Sequence, residues 1–119
     1  MQIGDDINGK GAGDYSGYSV SLSDDGTIIA IGAERNSGNG DKSGHVRVYS
    51  FDSTSWVQIG DDIDAEAAND YSGASVSLSN DGTIIAIGAA GNDENGDNSG
   101  HVRVYSFDST INVSTDLHP

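Results

Sequence analysis

The densest set of oxygen donors in the chain lies in one short loop, where Asn92, Asp93, Asn95 and Asp97 follow closely on one another. Such a run can surround a hard cation such as calcium, which takes six to eight oxygen ligands. An EF-hand loop would need its glycine elsewhere and a closing glutamate, and neither is present. The matching stretch earlier in the chain offers Asn36, Asn39 and Asp41, with fewer acids and with Lys42 beside them. The same residues also suit a solvated turn, because Asn, Asp and Gly tolerate left-handed backbone. The cofactor expectation is therefore none, with calcium in this loop as the alternative.

The other reactive side chains fit structural roles better. Asp5-Asp6 and Asp61-Asp62 are adjacent carboxylates. Neighbouring strand residues point to opposite faces, so these pairs cannot share a proton as an acid–base dyad. His45 and His101 each follow a glycine at a strand start. No cysteine exists, and no serine stands out as a nucleophile beside them, so a structural imidazole is expected. Asp14 and Asp70, each before Tyr-Ser-Gly, read as turn caps. Arg47 and Arg103 are expected to pack or to pair with carboxylates. Trp56 and Tyr18 could stack on a sugar, but their counterparts are Asn112 and Ala74. Asn112-Val113-Ser114 fits the N-glycosylation pattern. No catalytic residue emerges, and the expectation is a protein that is not an enzyme.

Composition narrows the partners. The chain has 119 residues, 19 of them acidic and 5 basic, for a net charge of −14. So acidic a surface repels phosphate backbones, which argues against nucleic acid. No apolar run approaches the roughly 20 residues of a membrane helix, so membrane insertion is not expected. The start has no basic n-region and no apolar h-region, so no signal peptide is read in this chain.

The elements that position these residues come from a tandem repeat. Gln2-Ile3-Gly4-Asp5-Asp6-Ile7 returns as Gln58-Ile59-Gly60-Asp61-Asp62-Ile63, an offset of 56 residues. The register then holds without insertion, and a period of this size belongs with propeller blades. Repeat 1 spans 1–56, repeat 2 spans 57–112, and a tail covers 113–119. Four strands are predicted per period. Val57 to Ile63 is one, with Met1 to Ile7 as its counterpart. Ser19 to Ser23 alternates small polar and apolar residues. Thr27 to Ala33 is a continuous apolar run, as in a strand buried on both faces. His45 to Phe51 alternates again. Asp-Gly at 25–26 marks a tight hairpin between the second and third strands. The predicted fold is all-β: two four-stranded antiparallel β-propeller blades. One such sheet cannot bury both its faces alone, and radial stacking solves this.

Gly17-Tyr18-Ser19-Val20, Gly32-Ala33 and Gly44-His45-Val46-Arg47-Val48-Tyr49, repeated as Gly73-Ala74-Ser75-Val76, Gly88-Ala89 and Gly100-His101-Val102-Arg103-Val104-Tyr105, resemble the FG-GAP repeat of integrin-alpha-like β-propellers. Ser16 and Ser72 stand where that family has its name-giving Phe. The resemblance implies a blade, and by analogy a recognition or adhesion scaffold that is extracellular or at the cell surface. It also implies an Asp-rich calcium loop between the first two inner strands. Asp24-Asp25-Gly26 and Asn80-Asp81-Gly82 are too short for that, so the family's usual site is expected to be missing.

Two blades fall short of the four to eight that close a propeller. The second copy should continue past Phe107 as Trp-Val-Gln-Ile-Gly, but Asn112-Val113-Ser114-Thr115-Asp116 stands there. The last blade is thus expected to lack an outer strand. The opening strand of a neighbouring chain, Gln2, Ile3, Gly4, Asp5, Asp6 and Ile7, is the candidate to supply it by strand exchange. Such a head-to-tail contact closes into a ring or runs on as a filament. A homo-oligomer of three or four chains is the expected partner state, and a protein or glycan ligand is a further expectation. The alternatives are a purely structural self-assembling block, natural or an engineered propeller fragment, and a cation- or carbohydrate-binding lectin-like propeller.

Overall fold

The computed structural model describes residues 1–37, 42–65, 67–92, 99–108 and 113–117, with side chains described as far as residue 106. Two antiparallel sheets carry the chain. The first is ordered β1 (Ser16–Leu22), β2 (Ile28–Ala33), β3 (His45–Phe51) and β4 (Trp56–Gln58), with the two-residue β5 (Ile63–Asp64) also on β3. The second is ordered β6 (Ser72–Leu78), β7 (Ile84–Ala89), β8 (His101–Asp108) and β9 (Val113–Leu117).

The repeat in sequence becomes a repeat in register. Ser19 pairs with Gly32 and Ala30 with Val48 in the first sheet; Ser75 pairs with Gly88 and Ala86 with Val104 in the second. Both sheets open with a bulge, between Ser16 and Ser19 and between Ser72 and Ser75. Gly17 and Gly73 supply its left-handed residue, at φ +90° and +93°.

The Asp-Gly signal marks a hairpin, but not a two-residue one. A type I′ turn needs positive φ at both central residues. Only Gly26 and Gly82 have it, at +76° and +75°. The loop instead closes with Ser23 N–H donating to Ile28 O at 2.8 Å and Gly26 N–H donating to Ser23 O at 3.0 Å. Asp25 holds it from inside, its Oδ1 accepting from Thr27 N–H, Thr27 Oγ1 and Ser23 Oγ.

Three expectations about the outer strands are corrected. Val57 to Ile63 is not one strand. It breaks into β4 and β5 around Gly60, whose φ of +67° turns the chain while Gln58 Nε2 donates to Asp62 Oδ1. Met1 to Ile7 holds no strand at all. It keeps the linker's conformation instead: Gly4 is at φ +70° and Gln2 Nε2 donates to Asp6 Oδ1. A strand needs an edge to pair with, and this segment lies against its own sheet. Trp56 Nε1 donates to Ile3 O, and Arg47 Nη2 donates to Asn8 O at 2.8 Å. Finally, the second sheet does have a fourth strand. β9 pairs with β8 from Val104↔Leu117 to Asp108↔Val113, within the same chain.

The two sheets pack face to face. One core joins them, built from Ala30, Val46, Val48 and Ile63 of the first and Ile85, Ile87 and Tyr105 of the second. Fully burying an Ile or Val side chain stabilises by about 1.5–3 kcal/mol, so this joint is the main apolar contribution within the chain.

Candidate functional site

The joint between the sheets is finely fitted, and its two halves recur at the ends of the chain. On the first sheet, Ser19, Ser21, Ile28, Ala30, Gly32, Val46 and Val48 share one face through their cross-strand register. That face meets β6. Ser19 Oγ donates to Gly73 O at 2.7 Å, and Leu78 N–H donates to Ser21 Oγ at 3.0 Å. Asp24 N–H donates to Asn80 O at 2.7 Å. Glycine is required where backbones touch: a Cβ on Gly32 would stand 2.2 Å from Gly73 O. Gly44 makes a parallel bridge to Ser72, where Ser72 N–H donates to Ser43 O at 2.8 Å.

The two outward faces present the same residue types, exposed along β1 in the first sheet, where Ile3 and Asn8 lie against the Trp56 and Arg47 part of the face. On the first sheet Val20 and Leu22 are 58% and 56% exposed, whereas their counterparts Val76 and Leu78 pack against the core. On the second sheet Val102 is 64% exposed, whereas its counterpart Val46 is 0% exposed in the core between the sheets, beside Ile63. Ile84 is exposed and its counterpart Ile28 packs against the core. Repeat identity alone does not reveal this difference; it depends on which face has a sheet beside it.

The predicted cation residues divide. Asn36 and Asn92 are buried at the necks of the longer loops. Asn36 Nδ2 donates to Asp14 Oδ2 at 2.8 Å, and Asn92 Nδ2 donates to Asp70 Oδ2 at 3.2 Å. Their carbonyls accept from Gly44 N–H and Gly100 N–H, both at 2.9 Å. These two asparagines brace each neck. Asn39, Asp41, Asp93, Asn95 and Asp97 lie outside the described residues. Among the described residues, no cluster of three metal-ligating side chains occurs. Asp14 and Asp70 cap turns as expected, accepting from Gly11 N–H and Ala67 N–H at 3.1 Å each.

A polar cluster that sequence reasoning missed sits at the outer end of the first sheet. Lys10 Nζ contacts Asp62 Oδ2, and His45 Nδ1 lies 3.6 Å from the same oxygen. It could not be read from spacing, since Lys10 and Asp62 meet only after the linker folds over β3. His45 is buried, and its Nε2 has no hydrogen-bond partner. Burial holds its imidazole below the ordinary range, against the opposing pull of Asp62. Burial acts to raise Asp62, but the hydrogen bonds from Lys10 and Gln58 outweigh it and leave the carboxyl below its usual value. Arg47 is also buried, and it bonds to Tyr49 Oη at 2.7 Å, to Asn8 O and to Ser16 Oγ, so of the two expected roles it takes packing. Trp56 is tied down by Ile3 O and lies 5.0 Å from the Phe51 ring, tilted by 51°.

The family model described as FG-GAP repeat matches residues 6–49 and again 64–105. No curated protein matches the chain significantly.

Proposed function

The chain belongs to the FG-GAP repeat family, as a pair of tandem blades, and on that premise we propose that it is a non-enzymatic scaffold acting through contacts made by its blade faces. Recognition and adhesion are its role, at the cell surface or outside the cell, and it associates with further blades of its own kind. The observation that carries this reading is the exposure of Val20, Leu22, Ile84 and Val102 on the outward faces of so acidic a chain. Soluble chains rarely leave contiguous apolar faces bare, and such faces mark interaction sites.

The titratable side chains support contact rather than catalysis. Asp14, Asp25, Asp70 and Asp81 hold turns through hydrogen bonds to nearby donors. His45 is enclosed, with its Nδ1 facing the Asp62 carboxylate. Sedimentation of the intact chain across a concentration series tests the reading. The expected result is a mass that grows above the 12.2 kDa of one chain. A monomer persisting to about 1 mM would leave less than about 4 kcal/mol for self-association and would refute it.

A further inference from the structure

We propose that a second copy of this chain docks on the outward face of β6–β8, using the exposed β1 side of its own first sheet, in the register of the internal joint. This rests on the scaffold reading above and deepens it by naming the partner and the contacts.

The argument starts from the offset of 56 residues. Each internal contact has a counterpart whose two halves stand at opposite ends of the chain. The bond from Ser19 Oγ to Gly73 O becomes one from Ser75 Oγ to Gly17 O of the second copy. The bond from Leu78 N–H to Ser21 Oγ becomes one from Leu22 N–H of the second copy to Ser77 Oγ. The seat of Ile28 on Gly82 becomes a seat for Ile84 on Gly26 of the second copy. All six residues are of the required type.

The backbone at the ends is already shaped for these contacts. Gly17 and Gly26 have φ of +90° and +76°, against +93° and +75° for Gly73 and Gly82. What differs is occupancy. A Cβ on Gly73 would lie 2.7 Å from His45 O, and one on Gly82 would lie 2.7 Å from Ile28 Cδ1. A Cβ on Gly17 or Gly26 would meet nothing within 4 Å. The first sheet's outward face is thus a formed socket without its insert, and Ser75, Ser77 and Ile84 are the insert.

The linker completes the fit. Ile63 pairs opposite Val46, and both are buried in the core between the sheets. Ile7 is the counterpart of Ile63, so Ile7 of the second copy falls beside the exposed Val102 once residues 1–7 leave their own sheet. This departs from a full exchange of residues 2–7. β9 already fills the edge of β8 from Val104 to Asp108, so only the stretch beside Val102 lies beyond its reach. The contact is heterologous, because each copy uses a different face, and it therefore propagates, into a closed ring or an open filament.

Complementation tests this. Ile84→Glu blocks one face and Leu22→Glu blocks the other; both side chains are exposed, so the fold should survive, as circular dichroism will show. Each variant alone lacks one half of every head-to-tail contact and should sediment as a monomer, with affinity reduced at least about thirtyfold. Mixed together, they retain one good face each and should form a one-to-one dimer that grows no further. Val20→Glu and Val102→Glu repeat the design if either first variant fails to fold. If the wild-type chain associates but the single variants keep its mass, the register is wrong while the scaffold reading stands. If the mixture stays monomeric although wild type associates, the head-to-tail geometry is wrong. If wild type itself never associates, the scaffold reading fails first.

Discussion

Replacing Gly32 by alanine and, separately, Gly88 by alanine isolates what the neighbouring sheet contributes. The two glycines occupy the same place in the repeat, each opposite a serine, and neither has a left-handed φ. At Gly32 the new Cβ would stand 2.2 Å from Gly73 O and 2.4 Å from Ser19 Oγ. A backbone carbonyl cannot swing away, so the sheets must part by about 1 Å to restore an ordinary contact, and such overpacking costs about 1–3 kcal/mol. The bond from Ser19 to Gly73 is lost with it, a further loss of about 1 kcal/mol. Restricting the unfolded chain returns about 0.4–1 kcal/mol. The net expectation is a loss of about 2 kcal/mol. At Gly88 the one close atom is Ser75 Oγ at 2.4 Å, and the next nearest is at 3.7 Å. A rotation of that hydroxyl clears the space, so Gly88→Ala should be neutral or stabilise by up to about 1 kcal/mol. Urea unfolding followed by circular dichroism, at dilution where the chain is monomeric, measures both. Losses agreeing to within about 0.5 kcal/mol, the usual scatter of such comparisons, would refute the account of the joint.

Other expectations follow from single contacts. Because burial depresses the His45 pKa, the unfolded chain takes up its proton first as pH falls. Stability from this group is full above about pH 6.5 and is lost as pH drops through the folded-state value. His45→Gln should therefore flatten the fall in urea midpoint between about pH 7.5 and pH 5, and parallel pH profiles for the two proteins would contradict this. Asp14→Ala takes an acceptor from the buried Asn36 amide and from Gly11 N–H and should cost about 2 kcal/mol in urea unfolding; a loss under about 0.5 kcal/mol would show that the neck is braced otherwise. Deleting residues 1–7 removes Ile3 O from Trp56 Nε1. Its fluorescence should shift to the red while the sheet signal stays, and loss of that signal would show that the segment is part of the fold rather than a cover.

Much of the blade was legible because its causes are local. Alternation in Ser19–Ser23 and His45–Phe51, and the apolar run Thr27–Ala33, locate β1, β3 and β2 within a few residues. What was not legible depends on distant partners. Met1–Ile7 and Val57–Ile63 are nearly the same residues, yet only the second pairs, because β3 offers it an edge. β9 escaped notice since its residues do not copy β4; backbone pairing needs an open edge more than a matching sequence. His45 and His101 share a motif but differ in burial, and nothing within either repeat records which one has a folded linker above it. At the cation loops, Asn36 and Asn92 brace the necks through Asp14 and Asp70, a contact across 22 residues that local spacing does not show.

The break of the outer strand has a consequence for synthesis. The first blade takes its fourth strand and its cover, Ile63, from the beginning of the second repeat. A ribosome adding roughly 5–20 residues per second therefore leaves an unfinished blade for about one to three seconds, with the free edge of β3 awaiting residues 56–64. Through that interval the edge can capture the matching segment of another nascent chain, whose residues it cannot tell from its own. Spacing ribosomes more widely on the message, or slowing initiation, should lower the yield of such entangled chains.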